Sequence, residues 1–208
     1  AQPLAKPEHL LDLELGARLR DTDLQLAVNV FWMEFADELI KSGQVDIFGQ
    51  PVTGNADRTR HIGMEFEGAV RLQEHVVVSG NFTLSQNRLV RYSVIDNGAR
   101  TSLDGNPIAG FPDALGNLRC TYRNGPFTGS MLAKFVGAFH TDNFNNEANL
   151  NDAYSVFNLE ILYELPKVAE VEWTMRAEVR NIFNRLHFLS GERNAFFPAA
   201  ERNFVVGL

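Results

Sequence analysis

Apolar and polar residues alternate with a period of two along most of this chain, the period of a β-strand with one apolar face. From Leu11 to Leu19, the residues Leu11, Leu13, Leu15 and Leu19 fall on one face and Asp12, Glu14 and Arg18 on the other. After Asp21-Thr22-Asp23 the alternation resumes through Leu24, Leu26, Val28, Val30 and Trp32, with Gln25, Ala27 and Asn29 opposite, which predicts a hairpin. A third strand sets Ile62, Met64, Phe66 and Val70 against His61, Glu65, Glu67 and Arg71, and a fourth sets Val76, Val78, Phe82 and Leu84 against Ser79, Asn81 and Thr83. Further strands are predicted near 114–123, 126–140, 153–164, 169–182 and 200–208, making about nine in all.

The connections between these strands alternate between tight and long. Tight ones lie at 21–23, 72–75, 123–126 and 165–168; long ones, rich in Gly, Asn, Asp and Pro, lie at about 36–58, 88–112, 141–152 and 184–199. In an up-and-down antiparallel sheet every second connection emerges at the same edge, so the tight turns are expected on one rim and the long loops on the other. Alternation does not say whether the apolar face points inward, as in a soluble lipocalin-like carrier, or outward into lipid. Three features favour lipid. The strands are long for a soluble sheet and suit a bilayer crossed at a tilt. Aromatics gather near strand ends on the apolar face: Trp32 toward the long loops, and Tyr122, Phe127, Tyr163 and Trp173 toward the tight turns. The polar face carries Glu14, Arg18, Glu65, Glu67, Arg119, Lys134, Glu160, Glu172, Arg176, Glu178 and Arg180, a density suited to a wet lumen. Leu13, Val28, Phe66, Phe82 and Val171 are therefore expected to face lipid, and Glu14, Asn29, Glu65, Asn81 and Arg176 the lumen.

Composition narrows the function classes. Of 208 residues 45% are hydrophobic, with 16 Phe, 4 Tyr and 2 Trp, yet no apolar run approaches the roughly 20 residues of a membrane helix. A net charge of −7 argues against a nucleic-acid partner, which needs clustered Lys and Arg. Cys120 is the single cysteine, so it forms no internal disulfide and no paired-cysteine metal motif. The N-terminal stretch from Ala1 to Pro7 lacks the charged and apolar regions of a secretory signal. His9, His61, His75, His140 and His187 show no ligand spacing, and Ser130 and His140 lie too far apart along one strand for nucleophilic catalysis. Glu65 and Glu67 share a face, where salt bridging is the plainer reading than acid/base work. No enzyme activity, metal or cofactor is expected.

Several segments, in order, resemble the second half of a TonB-dependent outer-membrane receptor of the siderophore type. They are Pro7-Glu8 with Glu14-Leu15-Gly16, then Gly63-Met64-Glu65, then Phe135-Val136-Gly137 with Thr141-Asp142-Asn143, then Val179-Arg180-Asn181-Ile182-Phe183-Asn184, and finally Glu201 through Leu208. The chain departs from the family pattern at His187-Phe188 and in stopping at Leu208, where the family's last residue is usually a Phe a few positions later. The resemblance implies an all-β fold: an antiparallel up-and-down transmembrane β-barrel fragment, about nine strands of a barrel that has 22 around a plug. Residues 1–208 are then expected to be the C-terminal part of that barrel, without the plug, the TonB-contacting segment and the early strands. The intact receptor would sit in the bacterial outer membrane, in contact with its lipid and with the TonB complex, and import a small-molecule ligand such as a ferric siderophore. A passive porin is the alternative within the membrane. The loops supply Arg91, Tyr92, Arg100, Asn143, Asn145 and Arg193 as candidate ligand contacts, because binding groups concentrate on loops held by a rigid scaffold; Glu14, Arg18, Glu65, Glu67, Arg176 and Glu178 are the candidate lumen-facing charges.

Overall fold

The computed structural model describes residues 5–45, 48, 51–96 and 98–208. The chain opens with four long strands, β1 (His9–Arg20), β2 (Leu24–Val45), β3 (Pro51–Gln73) and β4 (Val76–Arg91), each antiparallel to the next. The connection after β4 carries a short hairpin, β5 (Ser93–Asp96) with β6 (Ala99–Ser102). Next come β7 (Ala114–Asn124) and β8 (Phe127–Val136), then a small ribbon of β9 (Phe139–His140) with β10 (Leu150–Asn151), closed by one 3-10 turn at Glu147–Asn149. The chain ends with β11 (Tyr154–Val168), β12 (Val171–Arg180), the hairpin β13 (Phe188–Glu192) with β14 (Ala195–Pro198), and β15 (Asn203–Gly207). The main sheet has nine strands in the order β1-β2-β3-β4-β7-β8-β11-β12-β15, so every spatial neighbour is the next main strand in sequence.

Register keeps the two faces in phase across all nine strands. Leu13 opposes Trp32, Val28 opposes Phe66, Phe66 opposes Phe82, and Phe82 opposes Gly116. On the other face Asn29 opposes Glu65, Asn81 opposes Asn117, and Glu160 opposes Glu178. No segment of the chain covers the apolar face among the described residues: Leu15 is 75% exposed and Trp173 40%. The buried apolar clusters lie at the long-loop end instead. One joins Ile40, Ala56, Leu89, Tyr92, Leu103 and Ile108, and a second joins Val136, Phe139 and Tyr154.

Several boundaries differ from the sequence expectation: the strand expected at 126–140 ends at Val136, with Phe139–His140 in a separate ribbon, β4 runs to Arg91 into the connection expected at 88–112, and two further differences have clear causes. The long connection expected at 36–58 is mostly strand, since β2 and β3 run on as a paired ribbon to Val45 and Pro51; positions 46, 47, 49 and 50 lie outside the described residues. Alternation could not show this, because the phase changes at Asp37, which has φ 58. Past it the even-numbered Glu38, Ile40 and Ala56 are buried, and Glu38 bonds Thr59 and His61, which belong to the odd face of β3. The tight turn expected at 165–168 falls instead at Ala169-Glu170, with φ 51 and 64, the signs of a type I′ hairpin turn. Pro166 is absorbed by an irregularity between Leu165 and Val168, where a strand tolerates a missing N–H.

The polar face is laced by ion pairs. Arg176 lies 2.9 Å from Glu160 and 3.1 Å from Glu178, Arg180 lies 2.8 Å from Glu178, and Arg119 lies 3.6 Å from Glu160. Neighbouring residues on β7 therefore test the two faces. Arg119→Leu removes the longest of these pairs and leaves Glu160 with Arg176, so the variant should fold nearly as well as the wild type. Leu118→Arg puts a cation on the apolar face, at a cost of about 2 to 4 kcal/mol if that face meets the bilayer midplane. Heat-modifiable gel migration should show a folded band for the first variant and a depleted one for the second, and the reverse order would show the faces to be misassigned.

Candidate functional site

Where the β-ladder stops, backbone N–H and C=O groups need other partners, and short polar side chains supply them. Thr141-Asp142-Asn143 does this at the long-loop rim. Asn143 is fully buried. Its Nδ2 donates to the Lys41 carbonyl at 2.6 Å, its Oδ1 accepts the Ala109 N–H at 2.8 Å, and its own carbonyl accepts from Asn106 Nδ2 at 2.9 Å. The Thr141 hydroxyl lies within reach of the Asn149 and Arg193 carbonyls and donates to one at a time, while the Arg193 N–H donates to the Thr141 carbonyl at 3.1 Å. Asp142 accepts from the Phe144 N–H at 2.8 Å and from Asn149 Nδ2. Asn151 Nδ2 donates to the Phe188 carbonyl at 3.1 Å. One tripeptide thus ties the extended β2 end, the β4–β7 connection and the β13–β14 hairpin to its own loop, which places all four long connections on one rim. The turns lie together on the other rim, where Arg123 N–H donates to the His75 carbonyl and Glu164 N–H to the Pro126 carbonyl.

The hairpin β13–β14 docks through a buried charge. Gly191 lies so close to Thr141 that a Cβ there would come within 2.5 Å of its Cγ2. Next to it the Glu192 side chain is 1% exposed, 3.5 Å from Lys41 Nζ, and neither carboxylate oxygen has a hydrogen bond. Lys41 Nζ bonds Ser190 Oγ at 3.2 Å and the Gly191 carbonyl at 3.3 Å instead. Burial pushes the Glu192 carboxyl above the ordinary glutamate range, and Lys41 and Arg193 only partly oppose it.

A further polar cluster caps the ribbon of β2, β3 and β4. His61 Nδ1 meets Asn87 Oδ1 at 2.8 Å and Nε2 meets Glu38 at 3.2 Å, with the ring 5.5 Å from Phe35 and 5.3 Å from Phe111. Past β12, Asn181 (φ 52, 3% exposed) donates through Nδ2 to the Arg185 and Ala200 carbonyls and accepts the Arg185 N–H. Asn184 (φ 50) accepts the Arg202 N–H at 2.7 Å. These two asparagines turn the chain where a left-handed φ disfavours most other residues.

The six candidate loop residues separate into two groups. Tyr92 and Asn143 are buried, Tyr92 in the apolar cluster with its N–H on Asp104. Arg91, Arg100, Asn145 and Arg193 are exposed; Arg100 Nε bonds Ser93 Oγ, and Arg91 lies 3.7 Å from Asp57. On the polar face Glu14, Arg18, Glu65 and Glu67 line one hollow of about 420 Å³, in which Asn29 Nδ2 bonds Glu14 at 3.1 Å. Neither Glu65 nor Glu67 makes an ion pair among the described residues. Arg176 and Glu178 belong to the separate ion-pair group with Glu160. Lys41, Glu192, Asn106 and Asn149 were not legible in the sequence. Only the Thr141-Asp142-Asn143 motif pointed near them.

The model of the family described as TonB dependent receptor-like, beta-barrel, matches residues 2–182. A search of curated proteins finds no match. Among solved structures the chain is similar to the siderophore receptor PiuA from Acinetobacter baumannii, at 16% identity and a TM-score of 0.72 over 96% of this chain and 28% of that one. It is similar to the ferric citrate transporter FecA, at 18% identity and 0.72 over 94% and 30%, and to the copper transporter OprC, at 15% identity and 0.68 over 98% and 31%. At these identities the likeness is one of fold, and the chain spans less than a third of the length of each.

Asn143→Ala removes both side-chain bonds of the hub and leaves buried backbone groups unpaired, at about 1 to 3 kcal/mol each. Hydrogen exchange in residues 103–110 and 188–198 should accelerate while the main sheet stays protected; unchanged exchange in both loops would show that the hub does not hold them. Glu192 gives the rim a pH dependence. Its folded pKa is raised, so its contribution to docking is full below the unfolded value and is lost as pH rises through the folded one. After correction for intrinsic rates, exchange of the 188–198 hairpin should speed up as pH rises above the ordinary glutamate range in the native protein and stay slow in Glu192→Gln.

Proposed function

Because the chain belongs to the TonB-dependent receptor-like β-barrel family, we propose that residues 1–208 are the C-terminal barrel wall of a bacterial outer-membrane receptor that takes up a scarce nutrient such as a ferric siderophore. The observation that carries this reading is the union of one knit rim of long loops with a sheet that is apolar on one face and charged on the other. In this reading the apolar face meets outer-membrane lipid. The polar face, with Glu14, Arg18, Glu65, Glu67, Arg176 and Glu178, lines a lumen filled by a plug, and Glu65 and Glu67 await cationic partners there.

Transport of this kind requires a change of ligand affinity between two states rather than a bond-making group. Ligand contact falls to the exposed loop residues Arg100, Asn145 and Arg193, whose two guanidinium groups suit an anionic metal chelate. Tyr92 and Asn143 hold the rim in shape. The similar structures named for siderophore, ferric citrate and copper transport support a metal-bearing nutrient as the cargo class. The plug and the TonB complex, outside this stretch of chain, supply the energised release.

Uptake of a radiolabelled ferric siderophore by iron-starved cells carrying the parent protein tests this reading. It should fall to background when TonB is deleted, and uptake that persists without TonB would identify a passive pore instead.

A further inference from the structure

On β2, β3 and β4 the apolar face ends in the row Trp32, Ile62 and Gln86. The next row on that face is Glu34, Arg60 and Arg88, and one step further Arg58 opposes Arg91. Two pairs of arginines thus stand directly across from each other on neighbouring strands, an arrangement that like-charge repulsion disfavours. The chain relieves it only in part. Glu34, 13% exposed, takes both Arg58 Nε, at 2.8 Å, and Arg60 Nε, while those two cations are 51% and 36% exposed. Arg88 and Arg91 are 3.8 and 3.7 Å from Asp113 and Asp57, beyond ordinary hydrogen-bond length. Four cations therefore share three carboxylates. Because Glu34 engages Arg58 and Arg60 through Nε, their terminal nitrogens remain available to an outside acceptor. Arg60 also lies over the Trp32 ring, 5.4 Å from its centroid, which fixes the row immediately beyond the aromatic end of the apolar face.

We infer that Arg58, Arg60 and Arg88 form a binding site for the phosphate-bearing headgroup of an anionic lipid in the leaflet on the long-loop side. The inference rests on the reading of the apolar face as lipid-facing. A row just past the interfacial aromatics on that face lies at headgroup depth. The guanidinium fork matches phosphate oxygens in a bidentate way that an ammonium does not. A lipid fits better than a free anion because the same face continues below the arginines through Ile62, Met64, Leu84 and Phe82, all more than 40% exposed, where acyl chains can lie.

The parent protein in non-ionic detergent is incubated with lipid A, a phosphorylated glycolipid, or with phosphatidylcholine, and retained lipid is counted by native mass spectrometry. Wild-type protein should retain lipid A, and Arg58→Gln/Arg60→Gln/Arg88→Gln should lose about fivefold in retention for each arginine that meets phosphate, with phosphatidylcholine retention unchanged. Arg88→Gln alone, at the most weakly paired position, should shift in the same direction and serves if the triple variant fails the heat-modifiability check. Equal lipid A retention by folded wild type and variants overturns the site, as does its loss to millimolar inorganic phosphate, which marks a site for free anions. A parent protein that remains in the aqueous phase without detergent overturns the membrane reading itself, a result separate from either.

Discussion

Backbone hydrogen bonding is the constraint on which the rest of this structure depends. Hydrocarbon offers no partner to an N–H or C=O, so a sheet with one face in a bilayer must pair each strand with its neighbours along the whole crossing. An up-and-down order meets this demand with the shortest connections, and the nine main strands follow it without a crossover. Once the ladder is fixed, so is the phase of every side chain, because a slip of one residue would exchange the two faces. Close packing on the sheet follows the same logic. At Gly63 a Cβ would meet the Phe31 ring at 2.4 Å, and at Gly116 the Phe82 ring at 2.8 Å; in both places a ring from the opposing strand lies across the glycine.

Beyond the ladder the physics changes. Loop backbone is satisfied residue by residue, and the residues that can do so are Asn, Asp and Thr. Asn143 alone serves two connections through its amide and a third group through its carbonyl. The rim also contains a conflict: Glu192 is buried beside Lys41 without a hydrogen bond to either oxygen. Burial holds this carboxyl toward its neutral form, so ionisation at Glu192 works against the docking of the hairpin. The β13–β14 hairpin is thereby docked at a contact that responds to charge.

Charge on the two sheet faces is organised differently. On the polar face the acids and bases of β7, β11 and β12 interleave, so that Glu160 meets both Arg119 and Arg176. Exposed pairs of this kind are each weak, and Glu65 and Glu67 stand outside them among the described residues. On the apolar face charge is confined to the rows past Trp32, where arginines outnumber the acids that answer them.

The sequence by itself determined the nine main strands, their up-and-down order, the alternation of tight and long connections and the sorting of residues between the two sheet faces; the short ribbons β5–β6, β9–β10 and β13–β14 inside the long connections were not visible in it. It could do so because a period of two and the length of a turn are local properties, visible wherever one face is apolar. It did not determine where β2 and β3 end, because the ribbon changes phase at Asp37 and the alternation read along β2 does not continue past it. Nor did it show that Ala169-Glu170 makes the turn expected at 165–168. The roles of Asn143, Lys41 and Glu192 were decided by tertiary structure alone, since Asn143 meets Lys41 across about half the length of the chain and Lys41 meets Glu192 across most of it. The arginine row shows the same division: each arginine is an ordinary polar residue in sequence, and only the cross-strand register of Arg60 with Arg88 and Arg58 with Arg91 brings the charges together.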